Sequence, residues 1–270
     1  MEGGVVARTI QLSAFDLILA AGLVVAAGLV SMALRLNLEK RLAVATVRMV
    51  VQLLLVGYIL KVVFRVGSPL VLTAVIVVMV IFASRAAVRQ SSRTFHGATW
   101  FAFWTLLMSG IVTTFSVTSL VINVEPWYEP RYVIPLLGMV FGNGMTGISL
   151  CLDYLLASFD EHRAEVETEL ALGATAWEAA LRPLRAAVQR GMIPIVNRMM
   201  VAGVVALPGM MTGQILAGED PLNAVKYQIV VMFMISAATT VGSVIAGLLV
   251  YRRLFNARHQ LRVELIRKQG

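Results

Sequence analysis

The chain has 270 residues, of which 59% are hydrophobic and only 14% charged, and its formal net charge is +8. Soluble domains carry about 25% charged residues, so this composition excludes an ordinary soluble fold and implies an all-α, polytopic membrane protein. A lone Cys151 excludes an intrachain disulfide, and positive charge split into short runs between apolar segments suits a lipid surface rather than nucleic acid.

About seven segments reach the length of a transmembrane helix, near 14–34, 43–64, 69–84, 99–122, 132–155, 192–216 and 225–250. The first is preceded by Arg8 and flanked by few charges, without a basic leader and a small-residue cleavage site, so no cleavable signal peptide is expected. The third is short and reads either as a tilted span or as a re-entrant segment. Charge decides between them. Arg35, Lys40 and Arg41 share one connection, Arg85, Arg89 and Arg93 another, and Arg163, Arg182, Arg185 and Arg190 a third. The tail adds Arg252, Arg253, Arg258, Arg262, Arg267 and Lys268, whereas the alternate connections hold only Arg8, Lys61, Arg65, Arg131 and Lys226. Seven spans gather every rich cluster on one side, which gives an outside N-terminus and a cytoplasmic C-terminus. No repeat or linker divides the chain, so 1–270 reads as one membrane domain that includes a cytoplasmic segment at 160–190. The last dozen residues read as a short helical tail.

Polar residues within the spans are the candidates for a pathway. On the second span Arg48 and Gln52 stand one turn apart, and Arg48 either snorkels to the inner surface or meets a partner on another helix. The loop from Asn123 to Pro130 reads as a rigid interfacial turn, or as an outer metal site using Glu125 and Glu129. The fifth span offers Asn143, and Asp153 near its inner end, which is expected to pair with Arg48 or with Arg198 at the cytoplasmic start of the sixth span. Gly138, Gly142, Gly144 and Gly147 on span five, with Gly209 and Gly213 on span six, form small-residue faces for close helix crossing. Pro208-Gly209 should loosen or kink the sixth span, as a static bend or a hinge. Gln214 and Gln228 complete the set of pathway candidates. Methionines such as Met210 and Met211 fill apolar interfaces or offer thioethers to a soft metal. There is no CxxC or HxxxH spacing. The metal ligands on offer are Asp153, Met210, Met211, Glu125 and Glu129.

Between spans five and six the polarity changes abruptly. Asp160, Glu161, Glu165, Glu167 and Glu169 come first, then Gly173, Thr175 and Trp177, then Arg182, Arg185 and Arg190. Acid leading and base trailing suits helix termini. Gly173 and Thr175 permit a sharp turn, and Pro183 is expected to limit the next helix or open its first turn. On pattern alone this is a helix lying on the bilayer or one that docks onto another protein.

Glu167, then Gly173 six residues on, followed by Ala174-Thr175 and Trp177-Glu178-Ala179, resembles the EAA loop of ABC transporter permeases. In that superfamily the loop forms the coupling helix that sits in a groove of the cytoplasmic ATPase. Thr168 and Glu169 stand where two alanines are usual, and Pro183 comes early. Nearly the whole chain resembles the FetB/YbbM family of iron-export ABC permeases, whose plant relatives are associated with aluminium tolerance. Gly138-Met139-Val140-Phe141-Gly142-Asn143-Gly144-Met145 carries that likeness, with the insert and the run Ala206-Leu207-Pro208-Gly209-Met210-Met211-Thr212-Gly213-Gln214.

The resemblance implies a homodimeric permease in the bacterial inner membrane, joined to a separately encoded ATPase and exporting iron or another metal. It makes Glu167, Glu169, Gly173, Ala174 and Trp177 ATPase-coupling residues. No Gly-rich phosphate loop is present, so ATP and Mg are expected on the partner and this chain is expected to bind no cofactor and to be no enzyme. A secondary carrier or channel, and a structural or regulatory membrane protein that moves nothing, are the alternatives.

Overall fold

The computed structural model describes residues 13–269. Arg8, counted above in the charge distribution, lies outside them. Ser13 caps α1 (Ala14–Ala33) reciprocally with Asp16. A tight turn leads to α2 (Glu39–Val66), which Gly67 ends with a positive φ of 59° before Pro69 opens α3 (Pro69–Arg89). A short strand β1 (Arg93–Phe95) precedes α4 (Ala98–Ser116), which runs on into a π-helical turn, Val117–Val121. Then come α5 (Pro130–Glu161), α6 (Arg163–Ala171), α7 (Ala176–Val201), α8 (Gly209–Leu216) and α9 (Pro221–Leu254). The chain closes with strand β2 (Ile266–Lys268), antiparallel to β1.

Among the described residues six helices are long and apolar enough to cross a membrane: α1, α2, α3, α4 with its π turn, α5 and α9. The third apolar segment is thus a full helix of 21 residues, and the re-entrant alternative does not form. The expected sixth span, 192–216, is not one helix. Its first part, up to Val201, belongs to α7, residues 202–208 are irregular, and α8 supplies the remainder. Ala202 is extended, Gly203 takes a φ of 83°, and Pro208 has no N–H to continue a helix. The proline that was expected to kink a span therefore stands past a complete break.

Pro183, by contrast, lies inside α7 and does not limit it, as does Pro194. The missing hydrogen bond is tolerated because the small buried face of α7, Ala180, Ala187 and Gly191, is clamped between α5 and α9. Those three helices form the centre of the bundle, with α3 and α4 packed on one flank. Two glycines set the approach. A Cβ on Gly191 would stand 2.7 Å from the Gly147 carbonyl oxygen and from Ser243 Oγ. Gly142, Gly209 and Gly213 instead face open space, so of the glycines named for packing Gly147, against Thr239 and the Gly191 carbonyl, and Gly144, with Leu106 against it, make the close approaches. Gly110 beneath the Phe141 ring and Gly247 beneath Leu184 are further close approaches that spacing did not single out.

Candidate functional site

One end of the bundle gathers most of the hydrogen-bonded polar chemistry. It holds the α1–α2 turn, β1 and β2, the ends of α5 and α9, and the α6–α7 hairpin; the opposite end holds the α2–α3 and α8–α9 turns. At the polar end the tail is not helical. Residues 266–268 pair with Arg93–Phe95, and the Gln269 N–H donates to the Ser92 carbonyl at 2.8 Å. The apolar side of the pair, with Phe95 buried and Ile266 half-buried, supplies the cover a solvated helix would lack. Arg93 then reaches Asp160 at 3.1 Å and Glu161 at 2.8 Å, tying that corner to the end of α5.

The α6–α7 hairpin is built to hold its tip rigid. Arg163 donates to Glu167 at 2.7 Å along α6. Gly173 turns the chain with a φ of 98°, a conformation that favours glycine. Thr175 and Glu178 form a capping box at the start of α7, with Thr175 N and Oγ1 donating to Glu178 Oε2 at 2.8 Å. These bonds, led by the backbone one, hold the Glu178 carboxyl below the usual glutamate range. The Ala176 N–H donates to His259 Nδ1 at 3.0 Å, so the tail braces the same helix start. Trp177 packs edge-on against Tyr251 of α9. Glu169 lines a small polar cleft of about 180 Å³ with His162, Glu165 and Arg182.

At the tip of this hairpin Leu172 is 84% exposed. It was missed in the sequence, where a leucine beside a glycine reads as helix; only the left-handed turn at Gly173 turns it outward. His259 was missed because 83 residues separate it from its donor. The Thr175-x-x-Glu178 capping box was legible from its spacing.

The pathway candidates do not meet at one place. Asp153 pairs with no arginine; it accepts from Ser92 N at 2.7 Å and Ser92 Oγ at 2.6 Å and so anchors the turn into β1. Arg198 is not at the start of a span but in the last turn of α7, beside Asn143, whose Oδ1 accepts from its Nη1. Arg48 and Gln52 share with Lys40 and Arg41 an open recess of about 600 Å³ on α2.

Met210 and Met211, adjacent on α8, line different cavities. Met210 and Gln214 line a cavity of about 360 Å³ with Arg131, Tyr132 and Tyr227. Met211 and Gln228 line another of about 380 Å³ with Met199, Pro208 and Met232. The side-chain oxygens of Gln214 and Gln228 are buried there without a protein partner, which fits cavities that hold a polar guest or water. Glu129 lies 3.8 Å from Arg131, and Trp127 packs on Phe115, as an interfacial turn would. No group of three His, Cys, Asp or Glu side chains able to hold a metal occurs among the described residues.

Residues 14–255 match the family described as "Uncharacterised protein family (UPF0014)". The chain is similar to the UPF0014 membrane protein slr1647 of Synechocystis, at 41% identity over 84% of this chain and 88% of that protein. It is 36% identical to the "Probable iron export permease protein FetB" of Escherichia coli, over 87% of this chain and 89% of that protein. It is 32% identical to the protein ALUMINUM SENSITIVE 3 of Arabidopsis thaliana, over 85% of this chain and 83% of that protein. No solved structure matches it.

Proposed function

The chain belongs to the UPF0014 family of membrane proteins, and from that premise we propose that it is the membrane subunit of an ATP-driven exporter. In this reading 1–270 is a single permease domain that works as a homodimer in the bacterial inner membrane. The polar end faces the cytoplasm, in keeping with its arginines and the positive-inside rule. A separate ATPase binds ATP and Mg and docks on the α6–α7 hairpin through Glu167, Glu169, Gly173, Ala174 and Trp177. Export of iron or another metal is carried over from the name of the Escherichia coli relative.

The observation that carries the coupling proposal is Leu172. Leu172, 84% exposed at the polar end and outside any apolar span, offers a docking partner an apolar anchor at the hairpin tip. It is held forward by a glycine turn, a capping box and an aromatic brace, so docking it would cost little ordering entropy. A push on this tip would pass along α7, which has no joint before residue 201, into the α5–α7–α9 crossing.

The test is co-purification from native membranes, with retained nucleotide-binding subunits identified by mass spectrometry. The wild-type chain should retain an ATPase, and Leu172→Asp should lose at least about 90% of it at an unchanged unfolding temperature, the size of effect a central apolar anchor has. Wild-type chain that retains no ATPase, or L172D that retains as much as wild type, would sink the coupling role. The break at 202–208 is a feature secondary carriers share. ATP-independent transport by vesicles holding this chain alone would favour that reading instead.

A further inference from the structure

Arg198 stands at a depth where an arginine needs a reason. It lies about 12 Å along α7 beyond Arg190, the last charged residue before it on that helix. Its partner Asn143 lies about 20 Å along α5 from the opposite end. In a hydrocarbon core of about 30 Å this lies well inside the core, beyond easy snorkelling. Arg198 and its neighbour Asn197 are nevertheless exposed on the monomer. An arginine turned toward lipid at such depth costs several kcal/mol. This face of α7 therefore borders water or protein.

The local hydrogen bonds show what it is prepared to hold. Asn143 Nδ2 donates to the Met139 carbonyl at 2.7 Å, which directs its Oδ1 to Arg198. That bond uses one of the guanidinium's five N–H donors and orients the fork. Among the described residues no carboxylate forms an ion pair with Arg198. The acids of the long helices are engaged elsewhere: Asp16 with Ser13, Glu39 with Ser31, Asp153 with Ser91 and Ser92, Asp160 and Glu161 with Arg93, and Glu178 with Thr175. Arg48 on α2 likewise has no acid partner among the described residues and sits in a recess with Lys40 and Arg41. A bare metal cation would meet like charge and find no carboxylate of the kind hard cations need. A carboxylate or phosphate would meet a guanidinium fork shaped for it. A second copy presenting the same face would bring Arg198 toward Arg198, an approach that an anion between them relieves.

We propose that Arg198, positioned by Asn143, recognises cargo, and that the cargo crosses as an oxyanion, a carboxylate or phosphate group free of metal or within an anionic metal complex. This rests on reading the chain as a transport subunit and deepens the identity of what it moves.

Binding to the purified chain tests it without the ATPase, in nanodiscs of phosphatidylcholine so that no anionic lipid competes. The probes for calorimetry are citrate, ferric citrate, inorganic phosphate and Mn²⁺. At least one oxyanion should bind wild type; preference for ferric citrate over citrate would identify a metal complex as the source, and the reverse a metal-free anion. Arg198→Gln should weaken that binding about tenfold or more, as loss of a charge-assisted fork does, at an unchanged unfolding temperature. Arg198→Lys, which keeps the charge but not the planar fork, should lose affinity to a lesser degree. No oxyanion bound by wild type, affinity in the variants equal to wild type, or Mn²⁺ as the one probe bound would each overturn the proposal. ATPase retention by R198Q, measured separately, should equal wild type, so a failure here leaves the coupling reading standing and the reverse also holds.

Discussion

The α1–α2 hairpin and α5 show opposite relations between hydropathy and burial. The apolar windows of α1 and α2 have mean hydropathies of 2.2 and 2.0, yet 6% of each is buried, whereas α5 at 1.5 is 56% buried. In water the greasier helices would be inside. In lipid apolar surface has nothing to gain by leaving the tails, and helices associate through close packing and polar contacts. α5 brings Gly144, Gly147 and Ser149 to its buried face, while Gly22 and Gly28 of α1 and Gly57 of α2 meet nothing. The hairpin's face is therefore left for lipid or another protein, and the centre belongs to the helices that can approach one another.

The largest expected effect follows from that contrast. Gly191→Leu would drive a side chain into the Gly147 carbonyl and Ser243, and should destabilise by about 3 kcal/mol or more, as overpacking of a tight crossing does. Gly28→Leu, in open space on α1, should leave the unfolding temperature nearly unchanged. Tryptophan fluorescence during thermal unfolding in detergent compares the two directly. Equal tolerance at both positions would break the comparison.

A smaller loss is expected at Asp153, where three hydrogen bonds hold the turn into β1. Asp153→Ala should cost about 1–3 kcal/mol through unsatisfied donors, and amide exchange across Arg93–Phe95 should quicken. If exchange there matches wild type, the carboxylate is not what anchors the strand pair.

The smallest effect is the pH response of the hairpin tip. Because the Glu178 carboxyl is held below its ordinary range, its capping bond contributes above about pH 4.3, the usual glutamate value. That contribution fades as pH falls through the lowered folded value. Glu178→Gln should remove this acid-side dependence while wild type keeps it; parallel pH profiles of α6–α7 exchange would contradict the capping account.

Much of this was legible in the residues. Span length and arginine distribution marked the helices and a polar end, and the pattern from Asp160 to Arg190 marked an interruption there. Gly173 could be expected in a turn because few other residues adopt a φ of 98°. The exposure of Leu172, the brace from His259 and the pairing of Arg198 with Asn143 were not legible. Each depends on partners far along the chain or on a turn that local pattern does not orient.

Sequence by itself determined that this protein lives in a membrane, how many long helices it offers to within one, and which end carries the charge, because hydropathy and charge act over local windows. Only the tertiary structure decided that the expected sixth span breaks at 202–208, that Gly147 and Gly191 rather than Gly209 and Gly213 let helices touch, and that Arg198 stands beside Asn143 with no acid opposite it among the described residues. The physical reason is that backbone approach and charge pairing are properties of neighbours in space. A glycine or an arginine carries no mark in sequence of what lies opposite it.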